Sequence, residues 1–406
     1  MTLENITTQE LFVPSEMELM TLNMGPQHPS THGVLRLILE LDGETVVKCT
    51  PDIGYLHRGM EKIAENKMYQ CFIPYTDKMD YLSPMNMNLG YVLACEALWE
   101  PDELAIPERA IYIRMLMAEL GRILAHLISV GCMAMDIGAM TIFLYTFNQR
   151  ELIYDLYEMA SGARMNVTYI RIGGVWEDLP EGWVEKCREF IKGIHPVLDD
   201  VEGLLYKNPI WNVRTKDLGK ISSEEGLNLG LSGPSLRASG IDWDLRKSNP
   251  YLYYDQVHFD VITGENGDCY DRFVCRVKEM RESCKIIDQL LDHLPEGPVH
   301  TSNRKVWPPP KKEGKKSMEA LIHHFLLFSE GLHAPEGEAY VATEAPKGVL
   351  GFYINSKGDT SPWRCRVRSP SFNNLSGLER LVKGHLIADV VTILGSLDIV
   401  LGEIDR

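Results

Sequence analysis

The sequence predicts an α+β fold: a central bundle of long helices, a small β-rich N-terminal domain and a C-terminal β-hairpin region. Three observations predict it. Apolar residues recur at helical spacing through most of 106–206 and again over 271–293. Short alternating segments bounded by turn residues stand near both ends, over 16–50 and 337–372. The 406 residues, 45% hydrophobic and 24% charged, have ordinary globular composition and enough chain for roughly two or three domains' worth of core. The expected divisions are 1–70 for the β-rich domain, 71–335 for the helical bundle with an irregular 211–264 insertion, and 336–406 for the hairpins and closing tail.

The elements follow in order. EMELMTLNMG alternates polar and apolar residues, and GETVVKC suits a strand. Between them, GPQHPSTHGVLRL places His28 and His32 in a segment broken by Pro26, Pro29 and Gly33, which argues for a loop entering a hairpin rather than a helix. Residues 51–70 and 77–100 read as helices. In IPERAIYIRMLMAELGRILAHLISV, Ile113, Leu116, Leu120, Leu124 and Leu127 form an apolar stripe, while Glu119, Arg122 and His126 share one face. Further helices are expected over 140–160, 183–206, 271–293 and 317–332. VWPPPKKEGKKS reads as a proline-stiffened, basic, exposed loop. GEAYVATEAPKGVLGFYINS and PWRCRVRSPSF carry hairpin patterns, and HLIADVVTILGSLDIVLGEIDR reads as a helix with an apolar terminus. The methionines of YLSPMNMNLGY would serve either as core filler or as an adaptable face for a large apolar ligand.

A formal net charge of −16 argues against binding nucleic acid or anionic lipid through bulk charge. No apolar run reaches the roughly 20 residues that a spanning helix needs, and the acidic start lacks a signal-peptide pattern. The expectation is a cytoplasmic protein, or one peripheral on the cytoplasmic side of a membrane. The nine cysteines include no CxxC pair, so buried packing is expected rather than a disulfide framework or a metal cluster.

No Walker loop, GxGxxG, HExxH or GxSxG occurs. The acid–base candidates are His28, His32, Tyr81, Asp80, Asp136 and Arg58. Histidine exchanges protons near neutrality, tyrosine can donate to a developing oxyanion, and a neighbouring aspartate orients a histidine. Together they suit proton delivery to a carbonyl or quinone whose electrons come from elsewhere. The histidines could equally cap backbone groups of a proline-rich turn.

GPQHPSTHGVLRL, DIGYLHRGMEKIAE, MDYL, MDIGAMT, YIRIGGVWEDLP, LSGPSLRASGIDWDLRK and LGSLDIVLGEIDR are collinear from about residue 16 to 406. Together they resemble the D-type subunit family of NADH-quinone oxidoreductase, respiratory complex I. That family is in turn related to the large subunit of nickel–iron hydrogenases, which implies a hydrogenase-like architecture. The resemblance implies that His32 and Tyr81 hold the two carbonyls of a quinone headgroup, that Asp136 pairs with His32, and that His28 lies nearby. Arg58 would lie close to the terminal 4Fe-4S cluster of a neighbouring subunit. Asn166 stands where many members carry a histidine that tunes this cluster with pH. Asparagine cannot titrate, which points to a lower-potential cluster and to menaquinone rather than ubiquinone. Hydrogenases hold their metal with two CxxC pairs, and here Asp398-Ile399-Val400 stands where the C-terminal Asp-Pro-Cys would begin. The chain is therefore expected to bind no metal or iron–sulfur cluster itself.

The implied activity is that of one subunit of a proton-translocating, NAD-binding electron-transport complex, inactive as an isolated chain. The implied partners are the cluster-bearing subunit, the adjacent C-type subunit of the peripheral arm and the quinone-channel membrane subunit. Two other readings stand beside it: a non-catalytic scaffold of the same assembly, and a hydrogenase-like metalloenzyme, disfavoured by the missing CxxC pairs.

Overall fold

The long helix Glu108–Asp136 is the axis of a computed structural model that describes residues 19–27 and 33–406. Its predicted stripe is buried, but so is nearly every other face, because it packs against Met140–Ser161, Cys269–Asp292, Pro84–Glu96 and Ile387–Leu397. By length and composition this helix could cross a bilayer, contrary to the expectation that no such run exists. Of its most apolar 18-residue stretch, 89% is buried inside the protein, so it is a core helix.

The fold mixes helices with three small antiparallel sheets. The first holds Met20–Met24, Arg36–Asp42 and Thr45–Asp52, with an irregularity between Glu40 and Leu41. The second pairs Ile170–Arg171 with Gly174–Val175. The third joins Gly337–Ala345, Gly348–Ser356 and Arg364–Arg368, so the PWRCRVR segment adds a strand to the preceding hairpin.

The helices over 140–161, 183–205 and 269–292 lie where the periodicity puts them. Two expectations fail locally. Residues 51–70 are not one helix: Pro51 and Asp52 finish a strand, Gly54 and Gly59 adopt positive φ, and only Met60–Glu65 and the start of Tyr69–Thr76 are helical. Residues 77–83 form a turn, and the next helix starts at Pro84. A proline disfavours helical geometry in the residue before it, and Ser83 sits at φ −139°. Met85 and Met87 are buried, which settles that cluster as core filler. The irregular 211–264 stretch is built from short helices such as Pro209–Thr215 and Ser223–Asn228. Seven cysteines are buried; Cys71 is exposed and Cys132 is half-buried.

The polar face of the central helix does not meet water. Glu119 and Arg122 are fully buried and join Glu279, Arg237, Arg246, Asp244 and Glu344 in one ionic cluster. Glu279 lies 3.3 Å from Arg122, 3.2 Å from Arg237 and 3.1 Å from Arg246. Tyr254 and Ser283 each donate to Glu119 at 2.7 Å. Burial alone would raise the Glu119 and Glu279 carboxyls, but the arginines outweigh it and hold both below their usual range. His126 lies 3.3 Å from Glu279, and burial pushes its imidazole below its usual value.

Removing one member of such a cluster leaves an uncompensated charge in a dry interior. Glu279→Ala is therefore expected to lose about 3–5 kcal/mol of unfolding free energy in chemical denaturation. Lys62→Ala removes a solvent-exposed lysine from Glu65, which keeps Arg364 as a partner, and should cost no more than about 1 kcal/mol in the same measurement.

Candidate functional site

Tyr81 sits in the turn between Tyr69–Thr76 and Pro84–Glu96, and three tethers fix that turn. At its start, Asp77 accepts from the Thr168 backbone N–H at 3.0 Å, from the Thr168 hydroxyl at 2.7 Å and from the Asn88 amide. In its middle, the Arg58 guanidinium donates to the Lys78 carbonyl at 3.0 Å and to the Gly402 carbonyl at 2.8 Å. Beside Tyr81 itself, Asp80 forms a 2.9 Å ion pair with Lys347, and both are almost fully buried.

Lys347 reaches Asp80 because it occupies the two-residue tip of the 337–356 hairpin. That tip is inserted into the body of the protein rather than left in solvent. Asn374 holds the Lys347 carbonyl at 3.0 Å, and a Cβ at Gly348 (φ +136°) would run into Ser232 and Gly233. Glu403, on the last helix Leu401–Asp405, accepts from the Ser371 backbone and hydroxyl. Its other oxygen has no hydrogen-bond partner among the described residues. Burial first, then the nearby Asp80 carboxylate, pushes Glu403 up to about 8.

Tyr81 is thus backed by a dry ionic layer, yet the residue is 38% exposed. Burial, with Asp80 adding to it, raises the phenol above its ordinary value. The phenol keeps its proton at neutral pH and can donate it as a hydrogen bond.

Asp136 ends the central helix, and burial pushes its carboxyl up to about 6. A Cβ at Gly395 would lie 3.4 Å from its Oδ2, so the carboxylate rests against the helix Ile387–Leu397. Asp398 follows that helix at φ +53°, buried, with Arg276 Nε 3.9 Å away. Asp136 and Asp398 both raise the Cys132 thiol, after burial, to about 11.

The predicted residues therefore meet only in part. Arg58 and Tyr81 share one corner and influence each other's protonation. Asp136 lies at the other end of the same C-terminal segment, against Gly395 rather than Gly402, and among the described residues no hydrogen bond links it to Tyr81. Asn166 is exposed at φ +54°, a left-handed conformation that asparagine tolerates. Thr168, two residues on, ties it through Asp77 to the Tyr81 turn. His28 and His32 lie outside the described residues. A cleft of about 410 Å³ flanks the Arg58 segment, lined by His57, Phe372, Asp405 and Arg406, and does not include Tyr81.

The profile of the family described as "Respiratory-chain NADH dehydrogenase, 49 Kd subunit" matches residues 136–406. The D-type subunit of NADH-quinone oxidoreductase from Geotalea uraniireducens is 55% identical over 389 residues, covering 96% of this chain and 99% of that protein. Its counterpart in Geobacter sulfurreducens is 54% identical with the same coverage of 96% and 99%. That of Wolbachia from Brugia malayi is 53% identical over 97% of this chain and all of its own length.

The chain belongs to the D-type subunit family of NADH-quinone oxidoreductase.

For a member of this family, other complex I subunits are partners, and its activity belongs to an NADH:quinone oxidoreductase. Sequence reasoning missed Lys347 and did not single out Glu403. A lysine in a two-residue hairpin turn ordinarily points to solvent, and only the packing of the hairpin tip shows otherwise. Glu403 stands in the quoted LGEIDR block but carries no local sign of burial.

Two outcomes test this geometry. A Cβ at Gly402 would lie 2.5 Å from the Met79 carbonyl, so Gly402→Ala must displace the Tyr81 turn. Faster amide exchange at 79–82 is expected, whereas Gly193→Ala, in a helix with open space around it, should leave exchange unchanged. Glu403 keeps its proton to about pH 8 when folded and to the ordinary carboxylic range when unfolded. The folded state binds more protons between those limits, so stability falls as pH rises towards about 8. Glu403→Gln should flatten that decline in thermal melts taken from pH 5 to 8.

Proposed function

We propose that this chain forms part of the quinone-reduction site of its complex. The observation that carries this reading is Tyr81, a protonated phenol braced by the buried Asp80–Lys347 pair while its ring stays open to the exterior. A quinone entering head first along a path shared with partner subunits would present one carbonyl to Tyr81 and the other to His32. Electrons come one at a time from the terminal 4Fe-4S cluster of a neighbouring subunit, since this chain carries no sequence motif for an electron carrier of its own. An isolated chain would then be inactive.

As charge grows on the quinone oxygens, Tyr81 and His32 donate hydrogen bonds and then protons. A charge-assisted hydrogen bond in a water-poor site is worth about 1.5–3 kcal/mol. The Asp80–Lys347 pair anchors the backbone of the turn next to Tyr81, which limits where the phenol can sit. On this reading Asp136 pairs with His32, and His28 lies beside the headgroup. When His32 gives up its proton, Asp136 is left as a half-buried carboxylate that burial already disfavours in charged form. That electrostatic change starts the conformational events that lead to proton translocation.

The same reading places the chain on the cytoplasmic side of the membrane. There it contacts the cluster-bearing subunit near Arg58 and Asn166, the C-type subunit of the peripheral arm, and the quinone-channel membrane subunit. Asn166 lacks a titratable ring, which favours a lower-potential neighbouring cluster and menaquinone as substrate. A redox titration of the complex checks this: the midpoint of the last cluster should vary little with pH.

In the assembled complex, Tyr81→Phe and His32→Ala should each lower quinone reduction by roughly 10–1000-fold while electron transfer from NADH to an artificial acceptor persists. Full activity in both variants would leave a scaffold role instead. Asp136→Asn should uncouple quinone reduction from proton movement in membrane vesicles; intact coupling would overturn the Asp136 step.

A further inference from the structure

The helix Met318–Ser329 faces the wrong way for a surface helix of a free-standing protein. Met318, Leu321, Ile322, Phe325, Leu326 and Phe328 are all exposed, with both phenylalanines at 67%. At 100° per residue these six positions sweep about 160° of one face. Ala320, on the opposite face, is the helix's buried residue. Its apolar side thus points outward. Two exposed phenylalanines with four aliphatic neighbours on three turns make a patch of several hundred Å², the size that marks an interaction surface rather than scattered exposure.

A second feature adjoins it. The segment ahead of the helix, expected as a loop but containing the one-turn helix Lys311–Gly314, carries the exposed Lys311, Lys312, Lys315 and Lys316. The acids beside them, Glu313 within that segment and Glu319 on the first turn of the helix, both pair with Arg304, so the four lysines are left as a local positive collar on a chain of net charge −16. On its other flank the helix overhangs a cleft of about 700 Å³, lined by Trp99, Asn303, His323, Leu326, Glu330 and His333 among others.

We propose that this face docks another protein subunit of the complex, one that offers an apolar groove rimmed by carboxylates and a side chain that enters the adjoining cleft. The lysine collar selects an acidic rim, because like charge beside it would repel. The cleft favours a protein over a bilayer. A lipid surface would also cover the outward face, but a chain of net charge −16 is repelled by an anionic leaflet, and a leaflet offers no fixed side chain shaped to the recess beneath the helix flank. The helix is the anchor and the collar sets orientation and association rate, the usual division between an apolar centre and a charged rim. The inference rests on family membership, not on the quinone reading.

The test uses the intact, purified complex with a photo-cross-linking amino acid in place of Phe325. One protein chain of the complex should be captured as the dominant adduct, and a Tyr81→Phe background should give the same adduct. Phe325→Asp combined with Phe328→Asp should lower co-purification of that chain by ten-fold or more. Charge reversal of the four lysines to glutamate should weaken its retention several-fold at low salt, with the effect shrinking at high salt. An adduct with lipid alone, no adduct, or normal retention of every chain in the double variant would overturn the proposal. Cross-linking leaves the surface otherwise unaltered, so it decides the question even if the charged variants fold poorly.

Discussion

The buried cluster of Glu119, Arg122, Arg237, Arg246, Glu279, Asp244 and Glu344 is the constraint on which the rest depends. It joins four parts of the chain that share no local sequence: the central helix, the helix Cys269–Asp292, the irregular 237–246 stretch and the 337–356 hairpin. Such ions are tolerated in a dry interior only when each finds partners with good geometry. Three arginines face four carboxylates, and burial, with Asp244 beside it, pushes Glu344 up, the direction that relieves the excess negative charge. A packing error of one residue in any of these elements would strand a charge. The cluster therefore specifies where the irregular segment and the hairpin must lie, in a way that apolar packing alone would not.

From that placement follows the site. The hairpin carries Glu344 into the cluster and Lys347, three residues on, to Asp80. One strand end thus connects the ionic core to the turn that holds Tyr81. The C-terminal segment closes the other side. Asp405 accepts from the Gly54 and Leu56 amides, Gly402 permits close approach to Met79, and Arg406 bonds the Val367 carbonyl. The turn that carries Tyr81 and the Asp136 carboxylate sit against opposite ends of residues 395–402, so a movement of that stretch would be felt at both.

Much of the helical frame was legible. The 3.6-residue period located the helices at 108–136, 140–161, 183–205 and 269–292, because each packs an apolar stripe on neighbours long enough to read. Where glycine and proline cut the chain into pieces of fewer than about eight residues, period gave way to local backbone geometry. There 51–70 and 77–83 depart from the helices that period predicts. The polar face bearing Glu119, Arg122 and His126 was seen as a face, but a charged stripe normally points to water, and its burial was invisible until the partner charges were in place.

The sequence by itself determined the α+β class, the order of the long helices, the core role of most cysteines and the family, since these rest on period, composition and collinear motifs. Tertiary structure alone decided that the hairpin tip is buried, that Glu403 stays protonated near neutrality and that one amphipathic helix shows its apolar side outward. Burial, charge pairing and the facing of a surface are relations between segments hundreds of residues apart, and no local spacing encodes them.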